Sequence, residues 1–394
     1  MINRFGSVFI ATLALLPGLV QADTPIGVFS ERLSDRAPIP TFSVDGAWPR
    51  LPSDLIIGQA SGVAVDAANT IWVLHRPNSL SASEIGLDKN PPIAQSCCHA
   101  APHVLRFDQD GNLLTAWGGP GLAPEINGIN QWPGTVHGLF VDADDTVWLG
   151  GNGDDDHVIL NFTATGEFIR QFGRRGATEG NISTSTLGKP ADVSDNGESI
   201  LVADGYTNNR IVQLDETDLT HIQNLGAHAT EPETRQREDG GALFSESSAD
   251  YSAEPHSPTF GGVVHCVVRG PGDTVYVCDR RNNRVQVFRE AGGKFEFIET
   301  IVIAPNSGGT GTATDVAISP DGTYLYIADM MNGKVWILLR ETHEILGSFG
   351  RIGRYPGQFT WLHSIDVDAD GNLYTAEVET GRRVQRFIFQ GLEP

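Results

Sequence analysis

Apolar and polar residues alternate along most of this chain in short runs, separated by turns rich in Gly, Asp and Asn. Such period-two patterning predicts β-strands, and stretches with the spacing of a long amphipathic helix are few. The strands also recur in a fixed order. A first strand of the form G-V-A-V-D is followed by a D/N-G turn and a second strand. The second strand reads I-W-V-L at 71–74, V-W-L-G at 147–150, I-L-V-A-D at 200–204, V-Y-V-C-D at 275–279, L-Y-I-A-D at 325–329 and L-Y-T-A-E at 373–377. A third follows, such as N-R-I-V-Q-L (209–214) or R-V-Q-V-F (284–288). Several copies add a fourth: LLTAWG at 113–118, FIRQFG at 168–173 and ILGSFG at 345–350.

Six copies of the first two strands start near residues 61, 137, 190, 263, 313 and 363. Four-stranded repeats at this spacing predict an all-β, six-bladed β-propeller, one sheet per blade around a central channel. The last copy stops after its third strand, RVQRFIF (383–389), whereas PTFSVDGAW (40–48) resembles the missing fourth. The N-terminal segment is therefore expected to complete blade six and close the ring, which removes an open sheet edge.

Within this frame three histidines share one register. His137 lies ten residues before Val147, His265 ten before Val275 and His363 ten before Leu373. Ser61, Ala191 and Thr314 fill the same slot in blades one, three and five. The histidines thus fall on blades two, four and six, one third of a turn apart, where their side chains can converge on the axis. Three imidazoles with a free position for water or substrate form the protein half of a catalytic zinc site.

The second strand of each blade returns to the histidine face. Arg76, Tyr206 and Arg280 sit at or just beyond that return and are expected to border the metal. For the arginines the alternative is ion pairing with carboxylates such as Asp279; for Tyr206 it is a packed turn aromatic. Next to a cation and guanidinium groups, the phenol is a candidate base. Two insertions, 77–103 and 227–258, leave strand ends on this face and are candidates for covering it; for the second, which is polar and low in aromatics, a disordered surface loop is the alternative.

Residues 1–22 carry a basic start, the apolar run FGSVFIATLALLPGLV and a plausible cut after Ala22, the pattern of a secretory signal. The domain reading is signal peptide 1–22, then one propeller over 23–394, periplasmic or secreted and without a membrane anchor. The formal net charge of −22 argues against nucleic acid and anionic lipid as partners. A small-molecule or peptide-like substrate is the partner expected. Four cysteines (Cys97, Cys98, Cys266 and Cys278) can pair in an oxidising compartment, with the connectivity left open.

The stretches "GQASGVAVD…IWVLHRP", "VHGLFVD", "VADGYTNNRIVQLD", "VVHCVV…CDRRNNRVQVF" and "WLHSIDVD" resemble the NHL-repeat propeller of peptidyl-α-hydroxyglycine α-amidating lyases. The resemblance runs along most of residues 44–390. It implies that His137, His265 and His363 hold the catalytic zinc, that Tyr206 is the base, and that Arg76 and Arg280 bind the substrate carboxylate or act in catalysis. It also implies the reaction, cleavage of an α-hydroxyglycine C–N bond to an amide and glyoxylate. Trp361 stands where the family carries a methionine, which puts it at the substrate pocket. Ser364 replaces the aspartate that ligates the family's channel calcium, so only backbone carbonyls such as those of Val63 and Leu139 remain and calcium is left open. Two other function classes fit the same propeller: a zinc hydrolase or lactonase, and a non-enzymatic interaction scaffold.

Overall fold

The computed structural model describes residues 26–28, 30–233 and 253–394. The expected signal segment and most of the second insertion lie outside the described residues. Six antiparallel sheets make the propeller. Blade one comprises Gln59–Val65, Ile71–Arg76, Val104–Phe107 and Leu113–Trp117. Blade two is Val136–Val141, Val147–Gly151, Val158–Phe162 and Phe168–Gly173. Blade three is Asp192–Asp195, Ser199–Asp204, Arg210–Asp215 and His221–Leu225. Blade four is Val264–Gly270, Thr274–Asp279, Arg284–Ala291 and Lys294–Val302. Blade five is Ala313–Ile318, Tyr324–Asp329, Lys334–Leu339 and Ile345–Phe349.

Blade six is built from both ends of the chain. Leu362–Val367, Leu373–Glu377 and Arg383–Glu393 supply three strands, and Ile39–Asp45 supplies the fourth. Phe42 stands opposite Phe389 and Val44 opposite Phe387. The segment before it reaches further than its pattern suggests: Ile26–Gly27 adds an edge to blade six, and Ser30–Arg32 adds one to blade five.

The repeated pattern has a physical cause. The aromatic second residue of the second strand, Trp72, Trp148, Tyr276, Tyr326 or Tyr374, is buried between its own blade and the next. A hydrophobic cluster fills each of these interfaces, and such burial is the dominant stabilising contribution. In blades one, two and six the turn aspartate before this strand is used twice. Asp66 accepts the backbone N–H groups of Ala68 and Thr70, and it also accepts the Trp72 indole N–H at 2.8 Å. Asp368 does the same for Asp370 and Asn372 while accepting the Tyr374 hydroxyl at 3.0 Å.

Two features of the inner strands position the site. Register shifts fall at the histidine slot in blades one, two, four, five and six, between Ala60 and Gly62, His137 and Leu139, Val264 and Cys266, Ala313 and Asp315, and Leu362 and Ser364. A bulge of this kind re-aims a side chain out of the sheet plane, here toward the channel. The second feature satisfies the free edge of the inner strands. Val267 N–H donates to Asp192 (3.0 Å), Ile365 N–H to Asp315 (2.9 Å) and Val65 N–H to Asp366 (2.7 Å). Each bond ties one blade to its neighbour and gives a buried amide its partner.

Candidate metal centre

The three histidines meet on the axis. Their ring centroids lie 4.6–5.0 Å apart, and one ligand atom from each comes within 4.8 Å of the others. The blades between them orient the rings. His137 Nδ1–H donates to the Ala191 carbonyl (2.7 Å), His265 Nδ1–H to Thr314 (2.7 Å) and His363 Nδ1–H to Ser61 (2.8 Å). The slot residue of blades three, five and one thus serves as backbone acceptor for the histidine of the preceding blade. With Nδ1 committed as donor, each Nε2 keeps its lone pair and faces the centre. Burial first holds all three pKa values well below the ordinary histidine range, helped by neighbouring imidazoles and Arg76 at His137, by His363 and both arginines at His265, and by both arginines at His363. The rings are neutral, the form that ligates a metal.

His265 Nε2 is buried and has no hydrogen-bond partner. An orphaned lone pair costs free energy in a dry site unless something binds it. His75 shows the contrast. It is equally buried, but both its nitrogens are occupied, by Gly58 N–H and the Pro102 carbonyl. The convergent donor set of His137, His265 and His363 therefore fits a divalent metal of borderline softness.

Tyr206 and the arginines stand beside this centre, where the sequence places them. The Tyr206 hydroxyl is 2.8 Å from His137 Nε2, and Arg280 Nη1–H donates to it at 3.4 Å. Arg76 donates from Nε to the Val136 carbonyl (2.9 Å), from Nη1 to Gln59 Oε1 (2.9 Å) and from Nη2 to Asn152 Oδ1 (3.4 Å). Its acceptors are all neutral. Arg280 Nε and Nη2 have no partner at all. Among the described residues neither arginine makes an ion pair, and Asp279, the neighbour considered for Arg280, is taken by Arg284 Nε at 2.7 Å. Asp156 and Glu379 act on Arg76 only at longer range, so the two buried guanidinium groups have no carboxylate in direct contact and could receive an anion.

Above the metal position lies a cavity of about 170 Å³ lined by Arg76, Tyr206, Arg280, His363 and Trp361 on sides foreseen from the sequence. Thr310, Met330, Val378, Glu379 and Thr380 also line it, and those were missed. So was Asn152, which holds Arg76 and keeps its own Nδ2 unpartnered. The signal was available, because Asn152, Met330 and Val378 occupy the position of Arg76 and Arg280 in their own blades.

Below the histidines the channel passes Val63 and Leu139, the candidate calcium ligands, and reaches Asp192, Asp315 and Asp366. The Ser364 hydroxyl stands 3.5 Å from the Val63 carbonyl oxygen. Burial, reinforced by the neighbouring carboxylates, pushes Asp192 well above the ordinary aspartate value, and Asp366 up to about 7; burial pushes Asp315 up to about 6. The cysteines pair as Cys97–Cys98 in the first insertion and Cys266–Cys278 across the strands that carry His265. The first insertion is anchored to blade six by Glu84 and Arg382, 3.0 Å apart.

The sequence and the fold have counterparts among known proteins. Residues 244–387 match the family model described as lactonase, 7-bladed beta-propeller, although the strands here close a ring of six blades. NHL repeat-containing protein 3 of Mus musculus is 26% identical over 371 residues, covering 91% of this chain and 88% of the relative. Peptidyl-alpha-hydroxyglycine alpha-amidating lyase 1 of Drosophila melanogaster is 24% identical over 384 residues, covering 89% of this chain and 60% of the relative. A solved streptogramin B lyase superimposes with a TM-score of 0.51 at 12% identity, covering 89% of this chain and 98% of that one, a likeness of fold. Along most of its length, then, the chain is a six-bladed β-propeller similar to NHL-repeat proteins.

Proposed function

We propose that this protein is a zinc-dependent lyase that cleaves the C–N bond of a carboxylate-bearing hemiaminal of the α-hydroxyglycine type, releasing an amide and glyoxylate. One observation carries this: the three Nε2 lone pairs converge beside a tyrosine hydroxyl and two buried arginines that make no direct ion pair among the described residues. The similarity to the Drosophila lyase supports the same reaction class.

Arg76 and Arg280 bind and orient the substrate carboxylate, because a bound anion gives each guanidinium the direct ion pair it does not make within the protein. His137, His265 and His363 would hold the zinc, which when bound supplies Lewis acidity toward the substrate hydroxyl. Tyr206 takes the hydroxyl proton at its Oη, the site held between His137 and Arg280. As the O–H electrons form the aldehyde C=O, the C–N bond breaks and its pair passes to the amide nitrogen. Tyr206 then returns the proton to that nitrogen, so the products are R–CO–NH2 and glyoxylate and the residue is regenerated. Burial of the site excludes bulk water, which would otherwise screen both arginines.

The match to a lactonase model favours a second reaction on the same centre, hydrolysis of a lactone or ester. One assay separates the two. Zinc-loaded protein given α-hydroxyhippurate should release glyoxylate, and Tyr206→Phe should lower the rate by about 10²–10⁴-fold with zinc content retained. Ring opening of a lactone without any glyoxylate from α-hydroxyhippurate would replace the lyase with the hydrolase.

A further inference from the structure

A second register runs around the mouth of the metal centre. Aligned on the repeated second strand, the residues after His75, Gly151, Asp204, Asp279, Asp329 and Glu377 are Arg76, Asn152, Gly205, Arg280, Met330 and Val378 in blades one to six. Blades one to four are polar there, and glycine in blade three leaves the place to Tyr206. Blades five and six are apolar. A backbone bond at this position recurs from blade to blade, from Asn152 N–H to the Thr135 carbonyl, Arg280 to Val263 and Met330 to Thr312; in blade six it runs from Val378 N–H to the Trp361 carbonyl at 3.1 Å and sets those two residues side by side. Met330 is buried beside them, its sulfur accepting the Thr310 hydroxyl at 3.5 Å. At the edge of this wall is one carboxylate, Glu379, on a left-handed residue (φ 49°), next in sequence to Val378.

We infer that the cavity is a two-sided substrate subsite: blades one to four take the carboxylate, and Met330, Trp361 and Val378 take an apolar acyl group on the other side of the scissile bond. Glu379 rejects an acidic acyl group by like-charge repulsion. The substrate class is accordingly a small N-acyl-α-hydroxyglycine, or a peptide ending in an apolar residue and α-hydroxyglycine. This deepens the lyase proposal and rests on it for the identity of the scissile bond. The binding preference rests only on the two walls.

Equilibrium binding of stable glycine analogues to the zinc-loaded protein tests the walls without turnover. N-benzoylglycine should bind about 10–100-fold more tightly than N-acetylglycine, because its ring leaves water for the apolar wall. N-succinylglycine should bind at least about tenfold more weakly than N-acetylglycine. Met330→Ser or Val378→Ser should shrink the benzoyl preference by about tenfold, and Glu379→Gln should relieve the succinyl penalty. Equal binding of the benzoyl and acetyl compounds to the unmodified protein, or tighter binding of the succinyl compound, overturns the subsite. Glyoxylate release from N-benzoyl-α-hydroxyglycine is read alongside. A benzoyl preference without glyoxylate leaves the subsite standing and removes the lyase; glyoxylate without any preference does the reverse.

Discussion

Arg280 and Arg284 lie four residues apart in blade four, and both are buried. Arg284 is neutralised by Asp279, and its remaining N–H groups donate to the carbonyls of Pro255, Ser257 and Thr259. Arg210 repeats this in blade three, with Asp204 and the carbonyls of Asn181, Ser183 and Thr186. These two arginines pin the loop that leads into their blade. Among the described residues the Arg280 guanidinium makes one long bond to the Tyr206 hydroxyl, lies over its ring and forms no ion pair. The difference separates two kinds of buried charge: one arrives with its counter-ion and pins a loop, and the other, which the proposed function assigns to substrate binding, makes no ion pair among the described residues.

The largest effect expected from breaking that contrast is on stability. Arg284→Met strands the Asp279 carboxylate in a dry interior and should destabilise the fold by about 3–5 kcal/mol, read from chemical denaturation. Arg280→Met removes an uncompensated charge, so its denaturation midpoint should match or exceed that of the unmodified protein. Its kcat/KM for α-hydroxyhippurate should instead fall by about 10²–10³-fold, the worth of a charged hydrogen-bonding group at a reacting centre. Equal destabilisation by both substitutions would dissolve the distinction between the two arginines.

The two ends of the channel sharpen the same point through pH. The histidines have folded-state pKa values below the unfolded value, so their contribution is complete above about pH 6.5 and is lost as pH falls. Asp315 and Asp366 are raised to about 6 and about 7, so between about pH 4 and 7 the folded state binds more protons than the unfolded one. Their contribution falls as pH rises. Asp366→Asn keeps an acceptor for the Val65 N–H but removes the charge. In metal-free protein it should raise the melting temperature progressively from pH 4 to 8, by roughly 1–2 kcal/mol of stability at the upper end. A constant difference across that range would contradict the raised carboxyl.

Much of this was legible in the sequence because it repeats. The six copies define the blades, and a fixed distance to the second strand puts His137, His265 and His363 in one slot. The same slot in the intervening blades holds Ser61, Ala191 and Thr314, whose carbonyls orient the rings, a role no side-chain pattern reveals because backbone does the work. Met330 and Val378 went unnoticed for another reason: an apolar residue at a strand end reads as core until the neighbouring blades place it against a cavity. The extra edge strands at Ile26–Gly27 and Ser30–Arg32 are too short to carry a period.

The central claim, that three histidines hold one zinc which works with Tyr206 and the open arginines, is tested most directly by titrating zinc into chelator-stripped protein while following glyoxylate release from α-hydroxyhippurate. Activity should rise linearly and stop at one equivalent of zinc per chain, and His265→Ala should show no such break. Turnover that is unaffected by stripping, or absent at one bound equivalent, would contradict it.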